Sequence, residues 1–289
     1  MQKLVNKLLI AFLKLISRLP MPVLYGLSNC FYVLLYKIFR YRLKVVQNNL
    51  KNSFPEKTDE ELKKIEIEYY KYLCDLIVES VKGFTASRSE LLKRVSYSDT
   101  IALDTLYENG QSGIVVMGHC GNWEWICRSA AFLMKNRVVV VYKPLSNPYF
   151  DTLMAETRTE FGVTQVPMAS IGRYLIQQTE PYLLILLSDQ SPSDAVNSHW
   201  MTFLNQETAV LKGAEKLAKK FDLPLIYNNV KRSKRGYYIC SPKFIIENPK
   251  SYQNGEITEL HTKVLEDNIR EQPENWLWSH RRWKLRRSE

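Results

Sequence analysis

The sequence predicts an α/β fold, a mixed sheet flanked by helices, preceded by a helical segment associated with a membrane. Three observations carry this. From Gly113 onward short apolar runs alternate with stretches of helical periodicity, the pattern of strands covered by helices. Thr58-Asp59-Glu60-Glu61 has the arrangement of a capping box at the head of a long periodic stretch. Between Met1 and Pro55 stand nine Lys/Arg and no Asp or Glu, so almost all of the formal net charge of +10 lies in the first 55 residues.

That first segment is read from its spacing. On a helix at 100° per residue, Lys3, Lys7, Lys14 and Arg18 fall within about 60° of arc. Leu4, Leu8, Leu9, Phe12, Leu15 and Ile16 cover much of the remaining circumference, as in a helix lying at a bilayer surface. Leu19 to Tyr36 then runs 18 residues without a charge, at the lower limit for a span and weakened by Pro20, Pro22 and Gly26. No small-residue cleavage site follows an apolar stretch, so no signal peptide is expected. The bases are interleaved with long aliphatics, which suits an anionic membrane better than nucleic acid. A basic helical pair packed on the protein's own core is the other reading at this point.

Thr58 as N-cap starts a helix of about six turns toward Val81, with Leu62, Ile65, Tyr69, Leu73, Leu76 and Ser80 at helical spacing. Strands are expected over Gly113–Met117, Val138–Tyr142, Tyr182–Leu187, Leu225–Val230 and Tyr237–Ile245. Helices are expected over Trp123–Met134, Pro148–Phe161, Ile171–Gln178 and Ala209–Phe221. The organisation is therefore residues 1–55 as a basic, apolar anchoring segment, 56–110 as a helical region packing on the core, and 111–289 as the α/β core. A composition of 45% hydrophobic and 24% charged residues excludes a disordered or fibrous chain. Five cysteines without a CxxC pair argue against a disulfide framework or a cysteine-based zinc site.

Ligands gather at the carboxyl ends of strands in such sheets, and the most polar end is Gly118-His119-Cys120-Gly121-Asn122-Trp123-Glu124. The glycines permit a tight turn, Asn122 is a fair N-cap, and Glu124 falls in the first helical turn. A histidine before a helix and a carboxylate just inside it can meet across the turn, the carboxylate fixing the imidazole for proton transfer. The same pair also occurs as a structural hydrogen bond. Cys120 is not a nucleophile on this reading, because neighbours in an extended turn point apart. A metal set from His119, Glu124, Asp189 and His199 lacks compact ligand spacing, so no metal is expected. Asp189 ends a strand, where α/β sites collect carboxylates, and equally suits the cap of a turn.

GHCGNWEW (Gly118–Trp125) resembles the H-x-G-N-W-E signature of the bacterial lipid A biosynthesis acyltransferases, the late lauroyl/myristoyl-type family within the lysophospholipid acyltransferase-like superfamily. RLKVVQNNLKNSFP (Arg42–Pro55), Val141–Gly162, LLSDQSP (Leu186–Pro192), TAVLKGAEKLAKK (Thr208–Lys220) and ENWLWSHRRWK (Glu274–Lys284) are similar to further blocks of that family, in the same order. Cys120 is one mild departure.

The resemblance implies a glycerol-phosphate acyltransferase-like fold. It also implies transfer of a fatty acyl chain from an acyl carrier protein thioester to a hydroxyl of a lipid A precursor. His119 is then the base with Glu124 orienting it, and Arg158 stabilises the oxyanion. Asp189 supports by positioning Arg158 or the acceptor, with Asn122 and Gln190 assisting. Arg281 and Arg282, near Trp276, Trp278 and Trp283, hold an anionic sugar-lipid; the tryptophans suit a core position equally well. No acyl-enzyme and no cofactor beyond the carrier thioester are expected. The expected partners are acyl-acyl carrier protein, the lipid A precursor and anionic lipids, at the cytoplasmic face of the bacterial inner membrane. Rival readings are an acyltransferase with another glycolipid or lysophospholipid acceptor, a thioesterase-like hydrolase, and a non-catalytic membrane scaffold.

Overall fold

The computed structural model describes residues 2–287. The chain opens with α1 (Gln2–Ser17), α2 (Met21–Tyr32), continued by a π-helical stretch over Val33–Ile38, and α3 (Leu43–Ser53). α4 (Asp59–Lys82) begins at the expected capping box: the Glu61 amide donates to Thr58 Oγ1 at 3.3 Å, and the Thr58 amide donates to Glu61 Oε2 at 2.8 Å. α5 (Arg88–Arg94), β1 (Val95–Tyr97) and α6 (Ile101–Glu108) lead into the sheet. There follow β2 (Gly113–Met117), α7 (Trp123–Leu133), β3 (Arg137–Tyr142), α8 (Pro148–Glu160), β4 (Thr164–Pro167), α9 (Ile171–Ile176) and β5 (Tyr182–Leu187). The remainder is β6 (His199–Phe203), β7 (Gln206–Val210), α10 (Gly213–Phe221), β8 (Leu225–Lys234), β9 (Tyr237–Ile246) and α11 (Glu256–Glu271).

Seven strands form one sheet in the order β1-β9-β8-β2-β5-β3-β4. The neighbours from β8 through β4 run parallel, β9 is antiparallel to β8, and β1 is parallel to β9. The predicted mixed α/β sheet is therefore present. Gly-Ile-Val-Val-Met of β2 is buried throughout, because helices cover both faces of a central parallel strand. On one face, Met117, Ile185 and Ile226 join a core with Tyr69, Tyr72, Trp125, Trp276 and Trp278. On the other, Ile114, Val139 and Leu184 pack with Ala214, Ala218 and Ile257.

Some elements differ from expectation. β6 and β7 form a separate antiparallel hairpin, so the helix expected from Ala209 begins at Gly213 instead. The hairpin turn places Leu204 and Asn205 at φ 48° and 61°, the conformation of a two-residue primed turn without its usual glycine. β4 is a short edge strand, and Pro167 sits at its end, where a missing amide costs no ladder bond.

The basic N-terminal segment divides by face. Asn6 and Ser17 of α1 are buried, with Ile10 and Leu13 half-buried between them. On the opposite face Leu4, Leu8, Phe12 and Leu15 are 56–63% exposed, and Lys3, Lys7 and Lys14 are exposed beside them. α2 and the π-helical stretch after it instead pack on α4 through polar pairs: Ser28 Oγ donates to Asp75 at 2.6 Å, Tyr25 to Glu79 at 3.0 Å and Tyr36 to Glu66 at 2.7 Å. Each partner relieves a buried carboxylate that would otherwise be costly. No single helix among the described residues is long and apolar enough to cross a membrane. Met21–Ile38 with Leu43–Ser53, bent by 85°, passes by length and composition only as a pair.

Candidate active site

β2 and β5 are adjacent and parallel, with Met117 opposite Leu187, so the segments that leave them meet at one edge of the sheet. His119 leaves β2 and Asp189 leaves β5. The His119 amide donates to Asp189 Oδ2 at 2.8 Å, and the ring Nδ1 stands 2.5 Å from Asp189 Oδ1. Trp276 Nε1 donates to the same Oδ2 at 2.7 Å. Burial pushes the Asp189 carboxyl up, but the His119 charge and these hydrogen bonds outweigh it and hold the group at about 2. An ionised carboxylate only accepts, so the His119 ring carries its proton on Nδ1 and presents the Nε2 lone pair outward. Gln190 Nε2 lies 3.2 Å from that nitrogen.

The backbone around His119 is clamped. A Cβ at Gly118 would stand 2.6 Å from Leu265 and 3.4 Å from Asp189 Oδ2, so glycine lets the carboxylate approach the main chain. Gly121 has φ +61°, and a Cβ there would meet Tyr238 and Val230 at 2.8 and 2.9 Å. Tyr72 donates to the Gly121 carbonyl at 2.7 Å, and the Gly121 amide donates to Asn275 O at 3.2 Å. Asn122 caps α7 by accepting from the Trp125 amide at 3.1 Å, and its Nδ2 donates to buried Glu79 at 3.1 Å. Its part is to hold the turn, since it is fully buried. The Trp123 ring meets the His119 ring edge-on at 4.7 Å between centroids.

Glu124 is not the partner of His119. It accepts from Arg158 through two bonds, Nη2 to Oε1 at 2.6 Å and Nε to Oε2 at 3.0 Å. Arg158 Nη1 also donates to Gln165 Oε1 at 3.2 Å, and Arg128 approaches Glu124 from the protein side at 3.9 Å. The expected pairings are thus exchanged: Asp189 orients the histidine, and Glu124 orients the arginine that Asp189 was expected to position. A bidentate fork fixes the guanidinium plane as a single bond would not. The Arg158 and Glu124 side chains retain 14% exposure each, so the pair borders solvent.

Arg282 does not serve the expected contact with a sugar-lipid. It is 2% exposed and donates Nη1 to the Ala209 carbonyl at 2.8 Å, and burial lowers its pKa to about 10. Arg281 is exposed. Trp276 and Trp278 are core residues, packed edge to face at 4.7 Å. Cys120 is buried, and desolvation pushes its thiol well above the ordinary value, against a thiolate role. His199 pairs with Glu259 at 2.8 Å on the β6 hairpin. Two residues escaped the reading of the sequence: Trp276 as a donor to Asp189, and His280, whose Nε2 accepts the Ser191 amide at 3.1 Å. Both lie in the terminal Trp-rich block, the signal that pointed toward them.

A family model described as bacterial lipid A biosynthesis acyltransferase matches residues 2–285 of the chain. Among curated proteins, the chain is similar to the lipid A biosynthesis lauroyltransferase of Escherichia coli (strain K12), at 23% identity over 290 residues, covering 96% of this chain and 90% of that protein.

Proposed function

The chain belongs to the bacterial lipid A biosynthesis acyltransferase family, and on that premise we propose that it transfers a fatty acyl chain from an acyl carrier protein thioester to a hydroxyl of a lipid A precursor. The observation that carries the reading is the His119 ring held at Nδ1 by buried Asp189, which leaves Nε2 as a base at the sheet edge. The acceptor hydroxyl takes the position of the Gln190 amide and gives its proton to Nε2 as the oxygen attacks the thioester carbonyl. Asp189 stabilises the imidazolium. The thioester oxygen gains negative charge, which Arg158, held flat by Glu124, meets with its remaining N–H groups. Collapse expels the thiolate of the carrier, and the imidazolium returns the proton to it. No covalent acyl-enzyme is needed, in keeping with the buried, protonated Cys120.

Membrane attachment is supported by α1, whose apolar face points away from the protein with Lys3, Lys7 and Lys14 beside it. Each such lysine adds roughly 1 kcal/mol of attraction to an anionic leaflet. Asn147, the N-cap of α8, donates to Asn6 of α1 at 3.5 Å, so α1 lies beside the helix that carries Arg158. A lipid acceptor therefore reaches the site from the bilayer, and the acidic carrier approaches from the cytoplasm. Gln190, Arg281 and Asn122 assist as acceptor contact, exposed cation and turn support.

The test is expression of the intact chain and of His119→Ala in a Gram-negative host lacking its own late lipid A acyltransferase, with mass spectrometry of extracted lipid A. A gain of one fatty-acyl unit with wild type only is expected. No gain with both proteins in the membrane fraction overturns the acceptor assignment, and a gain in phospholipid or glycolipid mass moves it to another acceptor.

A further inference from the structure

A cleft of about 540 Å³ opens between α2, α4 and the β8–β9 hairpin, outside the His119 site. Its floor is Asp75, 2% exposed. That carboxylate accepts from Ser28 at 2.6 Å, from Arg232 Nη2 at 2.5 Å, and from Arg235 at 2.5 Å through Nη2 and 2.9 Å through Nε. The two guanidiniums share this carboxylate; Arg235 Nη2 also donates to Asn29 Oδ1 at 3.0 Å and to the Tyr25 carbonyl at 3.3 Å, and the charge of buried Glu79 acts on Arg232 as well. Arg232 Nε is buried with no hydrogen-bond partner among the described residues, and the Arg235 side chain is 40% exposed. Lys234 lines the same cleft, with Nζ over the Tyr237 ring at 4.2 Å; among the described residues it pairs with no carboxylate. Lys71 and Glu68 cancel each other at 2.8 Å, and Glu274 is the remaining acid in the lining.

We propose that this cleft binds the phosphate of an anionic membrane lipid, with Arg232, Arg235 and Lys234 as its cationic contacts. Val33 lines the cleft, and it and Leu34 are 47% and 40% exposed, so lipid chains lie along the π-helical stretch that continues α2 while the phosphate turns inward. A recessed anion site beside outward apolar side chains fits a lipid headgroup better than the convex face of an acidic protein. Gly121 packs on Val230, and Arg235 lies five residues further along the hairpin, roughly 16 Å away at about 3.3 Å per residue. The phosphate is therefore held on the reacting edge but clear of the reacting atoms. The assignment rests on the membrane reading above and not on the chemistry at His119.

The experiment is calorimetric titration of the full chain in non-ionic detergent, without acyl donor, so that its failure is separate from failure of acyl transfer. Dioctanoyl phosphatidic acid is expected to bind saturably, and dioctanoyl phosphatidylcholine and inorganic phosphate at least tenfold more weakly. Lys234→Ala with Arg235→Ala leaves Arg232 on Asp75 and is expected to weaken phosphatidic acid binding about tenfold, the worth of one charge-assisted hydrogen bond. Lys234→Glu, which does not touch Asp75, is expected to weaken it similarly, so a folding defect in the double variant does not decide the matter. Unchanged affinity in Lys234→Glu overturns the proposal. Inorganic phosphate binding as tightly as phosphatidic acid makes the ligand a free anion and overturns the lipid assignment. In a parallel titration with acyl-free carrier protein, a loss of affinity in Lys234→Glu while phosphatidic acid binding is unchanged makes the cleft a protein-docking face and overturns it as well.

Discussion

Replacing Asp189 by Asn tests which carboxylate governs the base. The side chain is buried, and Oδ2 takes two N–H donors, the His119 amide at 2.8 Å and the Trp276 indole at 2.7 Å. An amide must keep its carbonyl toward those two donors, because an NH₂ group there would face them donor to donor. Its NH₂ then turns to the His119 ring, 2.5 Å away in the wild type. Nδ1 becomes the acceptor and the ring proton moves to Nε2, the nitrogen that receives the hydroxyl proton in the proposed reaction. A tautomer reversal of this kind costs ~10³–10⁴ in kcat, about 4–5.5 kcal/mol of barrier. Fold and acceptor binding are retained, so KM for the lipid should stay within about threefold. Glu124→Gln leaves the His119 tautomer alone and removes the charge that holds Arg158, so its loss should be smaller, ~10–10²-fold. The assay is single-turnover acyl transfer followed by lipid mass, with thermal unfolding as the fold control. Asp189→Asn retaining more than a tenth of wild-type kcat, or Glu124→Gln proving the more damaging change, would refute the exchange of partners.

Arg158→Lys should lower kcat ~10²–10³-fold with little change in KM, since an ammonium cannot reproduce the fork that Glu124 grips; equal activity in steady-state transfer would remove Arg158 from the oxyanion role. Leu8→Glu with Phe12→Glu alters positions 61% and 56% exposed, so unfolding free energy should move by less than about 0.5 kcal/mol. Cosedimentation with anionic vesicles should nonetheless fall at least tenfold, and an unchanged pellet fraction counts against α1 as the attachment surface. Burial, with neither ring nitrogen partnered among the described residues, pushes His261 down from 6.5 to about 4. The unfolded chain therefore binds a proton that the native ring refuses, and stability present above pH 6.5 is lost as pH falls to about 4, by roughly 3 kcal/mol. His261→Leu should flatten that acid limb in denaturant titrations, and an unaltered slope would contradict the burial argument.

What could be read from the residues depended on how far apart in the chain the deciding partners stand. The α4 start is local: Thr58 and Glu61 satisfy one another within a single turn, and the pattern alone announces it. β2 and β5 were equally legible, because runs such as Gly113–Met117 have no other home than a two-sided core. The hairpin was not. Its turn carries Leu204 and Asn205 in left-handed conformation where a glycine would have signalled it, and contacts made elsewhere hold it: Leu204 donates its amide to Glu266 at 3.0 Å, and Arg282 reaches in to Ala209. Arg282 looked like surface charge because a basic run at a chain end normally is. Here the buried carbonyl of Ala209 needed a donor long enough to cross from the terminal block.

The exchange of carboxylates at the site has the same origin. Helical spacing shows that Glu124 can reach back toward His119, and it says nothing of competitors. Asp189 is 70 residues away and wins because β2 and β5 are neighbours in the sheet, with Met117 opposite Leu187. The strands were visible in the sequence, but their order was not. Once the two strands are adjacent, the choice follows from charge. Glu124, free of the histidine, faces half-buried Arg158 and fully buried Arg128, two cations whose burial demands a counter-ion. Asp189, sealed beneath the Trp276 indole, has the His119 ring as its one titratable hydrogen-bond partner among the described residues. The sheet order therefore selects the partner of His119 and the partner of Arg158 together, and no single pair within one helix turn could have revealed it.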